Sequence, residues 1–151
     1  MLNRLFRTDG GYAALILRLT LAVVMFPHGA QKVLGWWGGH GFGATVDFFT
    51  GPLGLPAVVA VLVILGEFLG PIGLAVGLLA RPAAAGLVVI MLGALQRHWS
   101  HGFFMNWFGQ QTGEGFEYHL LVIGIGLAVV LQGAGAMSLD RKVAARLADR
   151  A

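Results

Sequence analysis

The chain has 151 residues, 57% of them hydrophobic and only 11% charged, with a formal net charge of +3 and no cysteine. Soluble domains carry roughly a quarter charged residues, so this composition points to a membrane protein and leaves no room for a separate soluble domain. The missing thiols exclude disulfides, thiolate nucleophiles and cysteine-ligated metals.

Residues 1–11 form a short basic lead. The first apolar run, 12–34, is too long for the core of a cleaved signal peptide and is interrupted early by Arg18, so it reads as a retained helix. Arg18 is expected to snorkel to lipid phosphate. Pro27 is expected to kink the helix or free a carbonyl one turn earlier. The run closes on His28-Gly29-Ala30-Gln31-Lys32, and a glycine-rich turn at 35–41 follows. Phe42, Val46 and Phe49 then recur at helical spacing with Asp47 opposite, which predicts a short amphipathic helix in the membrane interface. An ordered aromatic loop is the alternative.

The second run spans 56–79, with Pro56 suited to a first turn and a lone Glu67 about 16 Å along the axis. Its two G-x-x-x-G spacings, Gly66/Gly70 and Gly73/Gly77, permit close helix approach and read first as packing within the chain. Residues 77–82 make a tight turn into the third run, 82–99, which ends in Gln96-Arg97-His98 with His101 beyond. A loop over 102–115, rich in Gly, Gln and Phe, leads to the fourth run, 118–137, opened by Glu117-Tyr118-His119. Ser138-Leu139-Asp140 caps a short basic amphipathic tail.

These runs suit a hydrocarbon core of roughly 30 Å. The expectation is an all-α, four-transmembrane-helix bundle, a single domain over 1–151. Arg4, Arg7, Arg81, Arg141, Lys142, Arg146 and Arg150 fall on one side of that arrangement, and Lys32 and Arg97 on the other. Loop charge then places both termini in the cytoplasm. Trp36, Trp37, Trp99 and Trp107 all lie in or beside the two outer loops, at headgroup depth. The basic charge is therefore a topology signal, and no nucleic-acid partner is expected.

Ionisable groups inside membrane segments are costly unless paired or wetted, so they mark interior sites. His28, Gln31 and Lys32 share a helix face and offer donors beside a titratable ring. Glu67 is the sharpest residue. It is expected either to relay protons or touch a ligand, or to make a neutral interhelical hydrogen bond, or to pair with Lys32, Arg97 or a histidine. Arg97 is expected to hold Glu67 or Glu117 or to mark the outer boundary. His98 with His101, and Glu117 with His119, have weak metal-ligand spacing. Haem held by two histidines such as His28 and His98 is chemically conceivable, but no metal or haem is expected. His40 and His119 are expected to face headgroups or water.

At these residues the chain resembles the DoxX family of small four-helix membrane proteins. The resemblance runs through Leu17-Arg18-Leu19, His28-Gly29-Ala30-Gln31-Lys32, Gly38-Gly39-x-Gly41 with Thr45 and Phe48-Phe49, and Leu53-Gly54-Leu55-Pro56. It continues through Glu67-x-x-Gly70, Gly77-Leu78-Leu79-Ala80-Arg81, His98 with Gly102-Phe103-Phe104, Glu117-Tyr118 and Ser138-Leu139-Asp140. The family often has threonine where Ala80 stands here. The resemblance implies a four-helix bundle in the bacterial inner membrane, with His28, Gln31, Glu67, His98 and Glu117 as family positions. It also implies a link to quinone-coupled redox complexes such as thiosulfate:quinone oxidoreductase. Thiol chemistry in wider relatives does not carry over to a chain without cysteine.

The leading expectation is a quinone- or quinol-binding subunit of a membrane oxidoreductase, accessory if it takes part in catalysis and carrying no evident electron cofactor of its own. Glu67 would be its catalytic proton carrier, and His28, Gln31, Lys32, Arg97, His98 and Glu117 would hold the ligand. Its partners would be the bilayer and a periplasmic or membrane redox protein, with a homo-oligomer also compatible. The competing expectations are a scaffold or assembly factor that recruits a partner through aromatic outer loops, and a conduit for protons or small solutes.

Overall fold

The computed structural model describes residues 5, 6, 8 and 10–149. Arg4, Arg7 and Arg150, which entered the charge argument, lie outside them. The described residues are all-helical. They form α1 (Tyr12–Leu34), α2 (Gly41–Thr50), α3 (Ala57–Val76), α4 (Ala80–His98), α5 (Glu117–Gln132) and α6 (Leu139–Ala148), with short 3-10 turns at Trp36–Gly38 and Trp99–His101. The helix expected over 42–49 is present as α2, so the aromatic-loop alternative fails.

Helices α1, α3, α4 and α5 pack side by side. The pairs α1–α3 and α4–α5 make the most extensive contacts, and α3–α4 and α1–α5 close the ring. Each contributes a seam of buried residues spaced three and four apart, as antiparallel helix packing requires. The seam is Ala14, Arg18, Leu21, Met25 on α1 and Ala60, Ile64, Glu67, Pro71, Leu74 on α3. On α4 it is Ala80, Ala84, Leu87, Met91, and on α5 it is His119, Val122, Gly126, Val129.

Small residues set the spacing. A Cβ at Gly29 would meet the backbone of Glu67 and Phe68, so only glycine lets α1 rest directly on α3. At the same place Pro71 leaves the Glu67 carbonyl without its helical donor. The glycines at 66, 70 and 73 face Ile90, Leu87 and Ala83 of α4, so these spacings serve packing within the chain. Gly77 instead ends α3 in the left-handed region, at φ 68°.

The outward faces are apolar. Ile16, Val23, Leu62, Leu69, Val89, Leu92, Leu121 and Leu131 are all exposed, the reverse of a soluble bundle, where such a belt would drive association. By length and composition, α1 and α3 qualify as membrane spans, and α5 is a shorter apolar helix.

At the α3–α4 turn, Arg18 is not the snorkelling residue expected from sequence. It is 1% exposed, and its Nε and both Nη atoms donate to the carbonyls of Leu74, Ala75, Ala134, Ala136 and Met137 at 2.7–3.2 Å. Five acceptors meet the five N–H donors of a guanidinium, so the charge is fully solvated by the ends of two chain segments. This requires α5 to stop at Gln132, short of the expected 137. Gly133 and Gly135 take positive φ, and the chain folds back so that Ala136 N–H donates to the Gly11 carbonyl.

Asp140 closes the same end. Its two carboxylate oxygens accept from Leu79 N at 2.7 Å and Ala80 N at 2.9 Å, capping α4 from a distant segment. Ser138 caps α6 as expected, accepting from Arg141 N. Arg81 donates to the Val130 and Leu131 carbonyls at the end of α5.

Candidate functional site

The seams turn polar at the opposite end. Continuing the α1 seam from Met25 by three and then four residues gives His28 and Lys32. Continuing that of α4 from Met91 by seven gives His98, and that of α5 begins at His119. Glu67 lies level with Gly29. Helix geometry therefore delivers these side chains to one place between the helices, about 16 Å along α1 from Arg18.

At its centre Lys32 Nζ makes an ion pair with Glu67 Oε2. The carboxylate is 8% exposed and the ammonium 25%, and Oε2 has no other hydrogen-bond partner. Lys32 also donates to the His28 carbonyl at 3.4 Å. The ring of His28 lies 5.9 Å from that of Tyr118. The Tyr118 hydroxyl donates to Met25 Sδ at 3.2 Å, a weak acceptor.

Tyr118 also meets His119, 5.7 Å away and nearly perpendicular, and His119 stacks on His98 at 4.9 Å. His98 Nδ1 lies 3.0 Å from the Glu114 carbonyl. A carbonyl accepts only, so Nδ1 carries the hydrogen and Nε2 is the free acceptor of the neutral ring. His119 is buried, contrary to the expectation that it faces headgroups or water. Its Nδ1 is enclosed without a hydrogen-bond partner.

The remaining candidates lie around this cluster. Gln31 turns away and donates to the Trp37 carbonyl at 3.3 Å. With Lys32, Gly39, Thr45, Phe48 and Phe49 it lines a cleft of about 300 Å³ between α1 and α2. The exposed His40 lines that cleft too. Arg97 donates to the Leu53 carbonyl, so it holds neither Glu67 nor Glu117. Glu117 faces the loop, accepting from Met105 N at 3.2 Å and Trp107 Nε1 at 3.1 Å. With Asn106 and Glu114 it shapes that loop. His101 packs on Gly113, its ring 6.0 Å from that of His98. Among the described residues no three His, Asp or Glu side chains gather as a metal site.

Tyr118 and His119 are the members of the cluster that sequence reasoning left out. The signal was available, because His119 begins the Val122, Gly126, Val129 register, and Glu117 lies off it.

The apolar exterior and the ionised, imidazole-rich interior define a helical membrane protein with a polar site between its helices. The family model for DoxX matches residues 13–107, more than half of the chain, and this protein belongs to the DoxX family. Searches of curated proteins and of solved structures find no match.

Proposed function

We propose that this DoxX protein is a four-span protein of the bacterial inner membrane, with both termini cytoplasmic, that binds a quinone or quinol headgroup at the Lys32–Glu67 cluster. The four-span reading rests on the apolar outward faces of α4 and α5 as well as α1 and α3, and on tryptophans at one end with basic residues at the other.

The observation that carries the ligand assignment is the meeting, between the helices at one end of the bundle, of an ion pair, a phenol and three imidazoles. A quinone headgroup takes hydrogen-bond donors at two carbonyls and an apolar route for its tail. Lys32 and His28 supply donors on one side. On the other stand Tyr118, whose proton is held only by a thioether, and His119, whose Nδ1 lacks a partner, while His98 Nε2 is an acceptor suited to a quinol hydroxyl. These residues fit such a group, which when bound supplies two-electron redox chemistry. The chain's own residues bind and orient it, and Glu67 holds or passes a proton at Oε2. In this reading Gln31, Arg97 and Glu117 position the loops that cover the site. The redox partner is a separate membrane or periplasmic protein.

The test is fluorescence titration of the purified protein with a short-chain quinone, read by quenching of its tryptophans. Saturable quenching that weakens at least about tenfold in both Glu67→Gln and His28→Ala supports the assignment, a loss of about 1.4 kcal/mol or more. Unchanged binding in both variants ends it.

One observation favours a second reading, that of a scaffold. Trp99, Phe104, Trp107 and Phe108 are all more than half exposed, Phe108 at 88%, on a loop whose backbone pairs Gly102 with Phe116 and Phe103 with Glu117. An exposed aromatic surface of this kind can dock a partner. Capture of no partner by the intact protein counts against it.

A further inference from the structure

The end of the bundle held by Arg18 and Asp140 has features that the quinone assignment does not use. Leu79 and Met137 are non-glycine residues in the left-handed region, at φ 52° and 51°, a strained conformation that persists only where the surroundings impose it. Each is pinned by a buried polar side chain. Leu79 N donates to Asp140 Oδ1 at 2.7 Å, and the Met137 carbonyl accepts from Arg18 Nη2 at 2.9 Å. The strained backbone presents both side chains outward, with Met137 79% exposed.

Beside Met137, the exposed Arg141 and Lys142 line an open cleft of about 360 Å³ with Ser138 and Ala145. Among the described residues no carboxylate pairs with either cation, because the neighbouring Asp140 is spent on the α4 backbone. The apolar belt of α3, through Leu65, Leu69, Ile72 and Val76, runs directly into Leu78 and Leu79.

We propose that this end is an anionic-phospholipid site. The headgroup phosphate sits between Arg141 and Lys142, and Met137 and Leu79 lie against the first carbons of the acyl chains. Charge complementarity selects this occupant, since a second copy would bring the same cations. Continuity with the lipid-facing belt gives the apolar side chains the same neighbours as α3. Arg18 and Asp140 are positioning residues, holding the two strained residues outward. The inference needs the protein to be in a membrane but does not depend on the quinone assignment.

The experiment is native mass spectrometry of the full chain in micelles with equal amounts of phosphatidylglycerol and phosphatidylcholine of matched acyl chains. The wild type is expected to retain phosphatidylglycerol preferentially. The exposed double variant Arg141→Gln/Lys142→Gln should lower that preference by about 25-fold, roughly fivefold per charge. Met137→Ser should weaken retention of both lipids without changing their ratio, and Glu67→Gln should leave the preference intact. No preference in the wild type, or an unchanged preference in the double variant, overturns the proposal. Displacement of the lipid by millimolar inorganic phosphate also overturns it, marking a free-anion site.

Discussion

Replacing Arg18 by lysine separates two physical accounts of one buried cation. If Arg18 merely snorkelled to phosphate, lysine would serve as well, since both carry a long apolar stem and a positive head. In the structure its five N–H groups meet five carbonyls, and those of Leu74, Ala134 and Ala136 are in buried bonds. Lysine brings three donors from one point, so at least two carbonyls lose their partner. An orphaned buried carbonyl costs about 1–3 kcal/mol, which sets a range of about 2–6 kcal/mol. The upper part is not reached. The Leu74 carbonyl also accepts from Gly77 N at 3.2 Å, and the bonds to Ala75 and Met137 are only partly buried and within reach of water. We expect Arg18→Lys to destabilise by about 2–4 kcal/mol and Arg18→Met by more, because it leaves all five carbonyls without their donor. The assay is reversible unfolding in mixed micelles by titration with a denaturing detergent, followed by helical circular dichroism. Arg18→Lys within about 0.5 kcal/mol of wild type, the usual effect of a surface substitution, would refute the carbonyl-clamp reasoning.

The other predictions follow from contacts of the same kind. Gly29→Ala drives a Cβ into the α3 backbone at Glu67 and Phe68 and should cost about 1–3 kcal/mol or more. Gly124→Ala, which meets nothing within 4 Å, should not destabilise, and the same unfolding assay reads both. A double-mutant cycle of Lys32→Met with Glu67→Gln should return a coupling of about 1–3 kcal/mol. A coupling near zero would mean that the pair does not form. Asp140→Asn keeps one acceptor for the two amides of Leu79 and Ala80 and should cost about 1–2 kcal/mol. In hydrogen exchange the first turn of α4 should then open ahead of the rest of the bundle.

Most of the helices were legible because apolar length and glycine or proline punctuation are local signals. The ends of α1 agree with the apolar run, and α2 was found from Phe42, Val46 and Phe49. The expected end of the last long helix at residue 137 was wrong for a non-local reason. Residues 133–137 are apolar enough to continue it, but their carbonyls are claimed by Arg18, more than 110 positions earlier. The polar candidates divided in the same way. Glu67, His28, Lys32 and His98 were singled out as costly residues in apolar segments, and they converge. Gln31, Arg97 and Glu117 were chosen on the same ground but lie off the buried register, each bonded to loop or helix-end backbone. His119, expected at the headgroups or in water, instead opens the buried register of α5.

Composition and pattern alone determined that this chain is helical, that its exterior suits lipid and that its polar groups are rare enough to be significant, because each depends only on residue type and period. The tertiary structure alone decided which of those groups meet. A helix can turn about its axis without changing its sequence pattern, so only packing, through Gly29 on α3 and Gly126 against Val88, selects the rotation that aims Glu67 at Lys32 and His119 at His98. The same holds for Arg18, whose charge is satisfied by carbonyls brought together from the ends of two distant segments.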